Sequence, residues 1–283
     1  STLNRTDCGF RSAEYFISRF FSGLFKPKFP ILGSEFAGEI IEIGKEVTKY
    51  KIGDRVFGFN DKEFGGHAEF MSVSEDTTMG LIPGNLSYTE AAPLLEGSHY
   101  AWCDIVAAKV KKGQRVMVYG ATGSIGSAAV QLLRYLDTEV TAVCSTNYID
   151  LVKSLGAHRV IDYTREDYKV DLNYYDFIFD SVGKSSFGIC KPLLKQNGIY
   201  ISTELGKNGE NLRYALTTKW FGDKKLLFPL PNIHQSFIEM VQQLVEAGKF
   251  KSVIDRIYTL DEIVEAYKYV ETGQKIGNVI IRM

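Results

Sequence analysis

The chain has 283 residues, of which 45% are hydrophobic, and its 33 basic and 34 acidic side chains leave a formal net charge of -1. That balance gives no general field to attract nucleic acid or anionic lipid, so we expect neither as a partner. No apolar run approaches the roughly 20 residues of a membrane span, and no signal-peptide pattern opens the chain. We therefore expect a soluble, cytoplasmic protein of one or two domains.

The N-terminal part reads as an irregular β domain. Ser1 opens the chain without a preceding strand, so we expect that an N-terminal segment is missing. Residues 31–87 are rich in glycine and in short alternating runs, such as 39–43 and 55–59, which favour an antiparallel barrel. We assign residues 1–87 to this domain, together with a C-terminal segment over 231–283, and expect the domain to lack its N-terminal strands.

The central part alternates strands and helices, which is typical of a doubly wound parallel sheet. The pattern predicts strands over 115–119, 139–144, 159–163, 175–180, 198–203 and 225–228. Apolar residues at three- and four-residue spacing from Ile125 to Leu136 predict a helix after the first strand. We assign residues 88–230 to this α/β domain.

The C-terminal segment predicts a helix over about 233–247, a second helix that ends near Gly273 and a strand over 277–281. Thr259 and Glu262 form a capping-box pattern at the start of the second helix.

A glycine-rich turn follows the first central strand directly. It consists of Gly120, Ala121, Thr122, Gly123, Ser124, Ile125 and Gly126. Glycines at this spacing allow a tight turn, close approach of a pyrophosphate and packing of the helix on the strand. The spacing alone is a weak signal, but a strand before it and a helix after it make it specific for a dinucleotide.

The end of the second strand indicates which dinucleotide binds. An acid there would bond the ribose 2′-hydroxyl and repel a 2′-phosphate, whereas this chain has Ser145 and Thr146, with Asp150 several residues later. Small hydroxyl donors favour NADPH, and an alternative is that Ser145 only caps the next helix. Four other side chains are candidates for the phosphate: Arg134, Lys153, Arg159 and Tyr163.

The ordered series of motifs resembles one family. The motifs are Asn4-Arg5-Thr6-Asp7, the segment 30–38, Lys51-Ile52-Gly53-Asp54-Arg55-Val56, Gly65-Gly66-His67-Ala68-Glu69-Phe70, the glycine turn, Ser154-Leu155-Gly156-Ala157 and the segment 175–183. Together they are similar to the zinc-free quinone and enone reductases, the zeta-crystallin-like group of the medium-chain dehydrogenase/reductase superfamily. The resemblance implies a Rossmann domain inserted into a GroES-like substrate domain, and relatives are commonly dimeric. It also implies a few dozen residues before Asn4.

The resemblance bears on metal as well. Zinc enzymes of the superfamily carry a cysteine before the aspartate of the first motif and a histidine in Gly-His-Glu, whereas this chain has Asn4 and Ser34. Serine does not replace an imidazole ligand, so we expect no metal. Without a Lewis acid, the acceptor must already be electrophilic, such as a quinone or an α,β-unsaturated carbonyl.

The resemblance also implies catalytic candidates. Asn4 matches a position that borders nicotinamide and substrate, where an amide can orient a carbonyl. Tyr100 stands where relatives carry threonine, and its phenol is a candidate proton donor or an occupant of substrate space. We expect Asp7 to fix a loop, while Glu35 is a buried relay or a structural residue. An aromatic segment is a candidate pocket lining or plain core: Tyr15, Phe16, Phe20, Phe21, Phe25 and Phe29.

The sequence thus predicts hydride transfer from NADPH to a small-molecule quinone or enone. One alternative is a non-catalytic NADPH-binding or redox-sensing protein, because fold does not guarantee activity. Another is a zinc-dependent alcohol dehydrogenase. A possible edge strand at 225–228 raises the further prediction of a homodimer.

Overall fold

The computed structural model describes residues 1–12, 23 and 26–283. The described chain divides into two compact units, one formed by Ser1–Glu96 with Ile233–Met283 and the other by Gly97–Asn232. Sequence patterns put the first boundary after residue 87, whereas the first unit extends to Glu96. The difference has a physical reason, because the buried Glu35 carboxylate accepts hydrogen bonds from the backbone N–H groups of Leu95 and Glu96.

The N-terminal segment of the first unit forms short strands and helices. In chain order they are β1 (Thr2–Leu3), α1 (Arg5–Ser12), β2 (Glu35–Glu39), β3 (Arg55–Phe59), β4 (Met79–Leu81) and α2 (Tyr88–Ala91). Strands β2, β3 and β4 make an antiparallel sheet. The alternating run over 39–43 overlaps β2 only at Glu39. Residues 40–43 lie outside the strand, and Ile41 and Ile43 are exposed, so their alternation does not mark a buried face.

The second unit is a six-stranded parallel sheet with helices between its strands. Its helices are α3 (Glu96–Ala107, whose first residue belongs to the first unit), α4 (Ser124–Tyr135), α5 (Ile149–Ser154), α6 (Phe187–Cys190) and α7 (Glu210–Trp220). Its strands are β5 (Arg115–Tyr119), β6 (Glu139–Cys144), β7 (Arg159–Asp162), β8 (Tyr175–Asp180), β9 (Leu194–Ser202) and β10 (Lys225–Leu227).

The strands of this sheet lie in the order β10-β9-β8-β5-β6-β7. Numbered from β5, that is the Rossmann order 3-2-1-4-5-6 read from the other edge, and it reverses between β5 and β8. Val116 and Val118 of β5 and Ile178 of β8 are fully buried. Ligands of such sheets bind outside the carboxyl ends of the strands at the point of reversal.

The C-terminal segment completes the first unit with α8 (Gln235–Glu246), β11 (Ile254–Thr259), α9 (Ile263–Glu271) and β12 (Asn278–Arg282). Strand β12 pairs with β1 antiparallel and with β11 parallel. The predicted capping box is confirmed, since the Glu262 carboxylate accepts from the Thr259 backbone N–H at 2.8 Å. No described helix is long and apolar enough to cross a membrane.

Candidate active site

The glycine turn lies at the reversal of the parallel sheet, between β5 and α4. Gly120 has φ +78°, and a Cβ there would lie 2.6 Å from both methyl carbons of Val182. A Cβ at Gly126 would overlap the carbonyl oxygen of Gly120. The protein's own packing therefore requires glycine at both ends of the turn.

Gly123 differs from the two flanking glycines. Its φ of -71° suits any residue, and a Cβ there would meet no described atom closer than the Gly120 carbonyl oxygen at 3.7 Å. Gly123 is also the N-cap of α4 and supplies no side-chain cap. This arrangement leaves room beside the positive end of a 12-residue helix, which is where a pyrophosphate fits in dinucleotide-binding folds.

The turn is held from the neighbouring strand. The Ser181 hydroxyl, directly after β8, contacts the Tyr119 carbonyl oxygen at 2.8 Å and the Gly120 carbonyl oxygen at 3.2 Å. The preceding Asp180 is fully buried and accepts from the Ser185 backbone N–H at 2.8 Å. These bonds tie together the two strand ends on either side of the reversal.

Helix α3 approaches the same turn within the second unit. A Cβ at Gly97 would overlap the Ser124 side chain, so the start of α3 packs against the first residue of α4. Tyr100 lies about one helical turn after Gly97, is half-buried, and has its ring centroid 4.5 Å from that of His99. The Tyr100 phenol, a candidate proton donor, thus lies one helical turn from Gly97, which packs against Ser124 of the glycine turn.

The predicted 2′-position contains a network that the sequence patterns did not reveal. The Thr146 hydroxyl donates to the Asp162 carboxylate and lies 3.0 Å from the Thr164 hydroxyl. Ser145 makes no side-chain capping bond, so the cap alternative for this residue is not observed. Ser145 and Thr146 therefore differ, because the Thr146 hydroxyl proton is directed to a neighbouring acid.

The four further candidates for phosphate contact have different surroundings. Arg159 pairs with Asp171 at 2.7 Å, and Arg134 contacts the His158 ring nitrogen at 2.9 Å. Lys153 is exposed on α5. Tyr163 is more than half exposed, and its backbone N–H donates to the Cys144 carbonyl at the end of β6. Tyr163 is therefore the one of the four whose backbone is fixed at the end of that strand.

The first unit contains a cluster of buried carboxyl groups from Asp7, Glu35 and Glu96, which we call the acid cluster. Asp7 accepts from the backbone N–H groups of Gly33 at 2.9 Å and Asn4 at 3.0 Å. It therefore fixes a loop, as expected. Glu35 accepts from Leu95, Glu96 and the Thr2 hydroxyl, which gives it a structural role between distant segments.

Asn4 is held on both sides by this cluster. Its amide nitrogen donates to the Glu96 carboxylate, and its amide oxygen accepts from the Asp7 backbone N–H at 3.2 Å. The other Glu96 oxygen accepts from the Thr6 hydroxyl at 2.7 Å. Asn4 is 6% exposed, and these contacts fix the orientation of its amide.

Burial governs the protonation of the acid cluster. Loss of solvent raises the pKa of Glu35 to about 7 and raises the pKa of Asp7. Burial, with the charges of Glu35 and Asp7, raises the pKa of Glu96 well above its ordinary value. The pKa of Lys275 is lowered by the same loss of solvent, although the nearby Glu96 opposes that shift. Burial therefore disfavours the charged form of each of these groups relative to the same group in water.

His67 of the Gly65–Phe70 motif and Phe29 of the aromatic segment make structural contacts. The His67 ring nitrogen Nε2 donates to the Thr2 carbonyl at 2.8 Å, and Nδ1 lies 3.4 Å from the Tyr267 hydroxyl. Phe29 packs on Phe64 with ring centroids 5.1 Å apart. The other members of the aromatic segment, Tyr15, Phe16, Phe20, Phe21 and Phe25, lie outside the described residues. Within the described ranges, no three His, Cys, Asp or Glu side chains are grouped to hold a metal ion.

Two residues of interest were missed by the sequence patterns, and each had a weak signal. Glu96 ends the apolar run Ala91-Ala92-Pro93-Leu94-Leu95, and Asp162 ends a buried strand at its carboxyl end. A single acid at such a position is a candidate for a satisfied buried carboxylate. Its partners are far apart in sequence, so the pattern alone could not name them.

A parallel sheet of this order and a mainly antiparallel unit built from both chain ends define a class of dinucleotide-dependent dehydrogenases and reductases. Residues 1–92 match the family model of the alcohol dehydrogenase GroES-like domain, and residues 155–281 match that of zinc-binding dehydrogenase. The chain belongs to the medium-chain dehydrogenase/reductase superfamily.

Individual relatives agree with this assignment. The 2-methylene-furan-3-one reductase of Solanum lycopersicum is 31% identical over 260 residues, covering 88% of this chain, and the chain spans 62% of that protein. The mitochondrial NAD(P)H oxidoreductase RTN4IP1 of Homo sapiens is 31% identical over 90% of this chain and 71% of its own length. The solved quinone oxidoreductase from Coxiella burnetii is 28% identical, with a TM-score of 0.88 over 100% of this chain and 88% of that one.

Proposed function

We propose that this chain is a zinc-independent reductase that transfers hydride from NADPH to a quinone or an α,β-unsaturated carbonyl. The observation that carries the proposal is the glycine turn at the sheet reversal, with open space beside Gly123 at the uncapped start of α4. Relatives named as a furanone reductase, an NAD(P)H oxidoreductase and a quinone oxidoreductase support the substrate class. The bound coenzyme supplies the hydride.

The chain's own groups bind and orient. We propose that backbone groups of residues 120–126 hold the pyrophosphate at the start of α4. The Asn4 amide has two N–H groups, of which one donates to Glu96. We propose that the second donates to the acceptor's carbonyl oxygen as negative charge develops there.

The reduction also needs one proton, because hydride addition to an enone or a quinone leaves an anion. We propose the Tyr100 phenol as its donor, with solvent restoring the proton afterwards. Tyr100→Phe should lower kcat at saturating NADPH and leave NADPH affinity unchanged. An unchanged kcat in Y100F would exclude the Tyr100 phenol as proton donor, but it would not contradict the proposal that quinones or enones accept the hydride.

The proposed function is tested by measuring NADPH oxidation with a panel of quinones and enones. Reduction of NADP⁺ with simple alcohols is the control for the reverse reaction. We expect turnover with quinones or enones and none with alcohols. Tight NADPH binding without turnover on any acceptor would instead favour a non-catalytic binding protein. Stoichiometric zinc together with alcohol oxidation would favour a zinc alcohol dehydrogenase.

NADPH is proposed as the preferred coenzyme on the basis of Ser145 and Tyr163. Ser145 follows β6 and makes no side-chain cap, and the Tyr163 side chain is more than half exposed beside the same strand end. Both can donate to a 2′-phosphate. Parallel titrations with NADPH and NADH test this preference, and a tighter complex with NADH would contradict it.

We further propose a homodimer formed through β10. Among the described strands, β10 pairs with β9 alone, and nearby α7 exposes Trp220 with 78% of its surface accessible. Antiparallel pairing of two β10 strands would extend the sheet and cover part of this apolar surface. Light scattering should give twice the 31.8 kDa chain mass, and a monomer at micromolar concentration would contradict the proposal.

Two further expectations remain proposals. We propose that residues 1–87 with 231–283 act as the substrate domain and that residues 88–230 act as the coenzyme domain. We also propose a cytoplasmic location, which cell fractionation would test. Recovery of the protein in an organelle fraction would contradict this proposal, and one relative is named as mitochondrial.

A further inference from the structure

Asp162, at the carboxyl end of β7, lies beside the carboxyl end of β6, where the sequence of β6 itself has no acid. Cys144, the last residue of β6, is the registered partner of Asp162, the last residue of β7. The next backbone N–H, that of Tyr163, donates to the Cys144 carbonyl at 3.1 Å. The two strand ends are thus fixed side by side, and Asp162 is only 3% exposed.

The Asp162 carboxylate is surrounded by donors from the loops after both strands. Thr146 donates its hydroxyl proton to one carboxylate oxygen. Thr164 donates to the other oxygen through its hydroxyl at 2.7 Å and its backbone N–H at 2.9 Å. Each threonine hydroxyl has one proton, so both protons are directed to Asp162. Toward a ligand, these two hydroxyls present lone pairs that accept hydrogen bonds.

The charge of this site follows from the same contacts. Hydrogen bonds from Thr146 and Thr164 lower the pKa of Asp162, so the group is ionised at neutral pH. Arg165 is the nearby cation, with its Nε 3.7 Å from the carboxylate and its side chain 73% exposed. A ribose 2′-hydroxyl can donate to Thr146, whereas a 2′-phosphate meets acceptors and a negative charge close behind them.

We propose that Asp162, acting through Thr146, is a specificity-determining residue that limits the preference of this protein for NADPH over NADH. The inference rests on the proposed dinucleotide function and adds to it a residue that lies on β7, outside the glycine turn and the end of β6. Asp162 is a positioning and electrostatic residue, because Thr146 stands between it and the ligand. The protein should therefore bind both reduced coenzymes, with NADPH favoured only modestly.

The test is Asp162→Asn, which keeps size and removes the charge. Equilibrium dissociation constants for NADPH and NADH are measured on the whole chain by the fluorescence of the reduced nicotinamide, with no acceptor present. We expect the ratio of NADH to NADPH dissociation constants to rise about tenfold in D162N, because a nearby negative charge is removed. Asp223→Asn is the matched control, since Asp223 is exposed in the loop before β10, at the opposite edge of the sheet.

A second variant guards against a folding defect in D162N. Thr146→Val removes the hydroxyl that stands between Asp162 and the ligand, so Asp162→Asn introduced into T146V should change the ratio less than D162N does alone. A rise of the ratio in D162N that shrinks in the double variant, with D223N unchanged, supports the inference. If the chain binds both coenzymes and the ratio stays constant in D162N, or rises as much in the T146V background, the inference is overturned while the proposed function stands. If the unchanged chain binds neither coenzyme, the proposed function fails and the inference with it.

Discussion

The two units of the chain are stabilised in different ways. The second unit is a regular parallel sheet whose central strands carry fully buried apolar residues such as Val116 and Ile178. The first unit has apolar clusters around Leu3 and Phe36 and also contains buried polar contacts that join distant segments, such as those of Glu35 and Asp7. Apolar periodicity therefore indicates the strands of the second unit, whereas long-range hydrogen bonds in the first unit join segments that periodicity does not connect.

The largest expected effect concerns the open position in the regular unit. Gly123→Ala should fold normally, because its Cβ has room, and should weaken NADPH binding about 100-fold by occupying space proposed for the pyrophosphate. Fluorescence titration and thermal unfolding of the same sample check both parts. Gly84→Ala is the control, since a Cβ there has no described neighbour within 4 Å. Unchanged affinity in G123A would remove the main support for the proposed coenzyme site.

The next effect concerns the polar contacts of the first unit. Glu35→Ala leaves two buried backbone N–H groups and the Thr2 hydroxyl without their acceptor, which should destabilise folding by about 3 kcal/mol. Chemical denaturation measures this loss. Glu35→Gln keeps one acceptor oxygen and should recover part of it. A loss below about 0.5 kcal/mol in E35A would show that these bonds do not hold the first unit.

A buried acid also tests the regular unit. Burial raises the pKa of Asp104 to about 8, whereas an aspartate of the unfolded chain has a pKa of about 4. The folded protein therefore keeps the Asp104 carboxyl proton to a higher pH than the unfolded chain does. Its contribution to stability therefore falls as pH rises from about 4 to about 8.

Asp104→Asn should consequently stabilise the protein at pH 9 by about 2 kcal/mol relative to its effect at pH 6.5. Denaturation curves at the two pH values measure the difference, and exposed Asp223→Asn serves as control. An equal effect of D104N at both pH values would contradict the assigned shift.

The smallest effect concerns a local signal in the first unit. Thr259→Ala removes the hydroxyl of the capping box before α9 and should cost about 1 kcal/mol. Urea denaturation checks the cost, with exposed Thr272→Ala, at the other end of α9, as comparison. A cost in T259A as large as that in E35A would mean that local capping matters as much as the buried contacts.

The same contrast explains what the sequence could predict. Strands β5, β6 and β8 were predicted with their observed bounds, because each is an apolar run between turn signals. The alternating run at 39–43 lies mostly outside β2, because Ile41 and Ile43 imitate a half-buried pattern on an exposed segment. Periodicity reports burial only when the alternating side chains do have a surface to cover.

The candidate site divides in the same way. The glycine turn was predictable because its geometry is local to seven consecutive residues, 120–126. The Thr146 to Asp162 bond and the Asn4 to Glu96 bond join residues 16 and 92 positions apart. Such pairs depend on how the strands and loops pack, so the residue types alone favoured free hydroxyl donors at 145–146.

The reaction that we propose for this chain is hydride transfer from the nicotinamide to an electrophilic carbon or quinone. The most direct measurement uses NADPH deuterated at the transferring position of C4 with an enone acceptor, followed by mass spectrometry and NMR of the product. We expect one deuterium at the β-carbon and a solvent-derived proton at the α-carbon. Product that lacks deuterium, or NADPH that remains unoxidised with every enone and quinone offered, would contradict it.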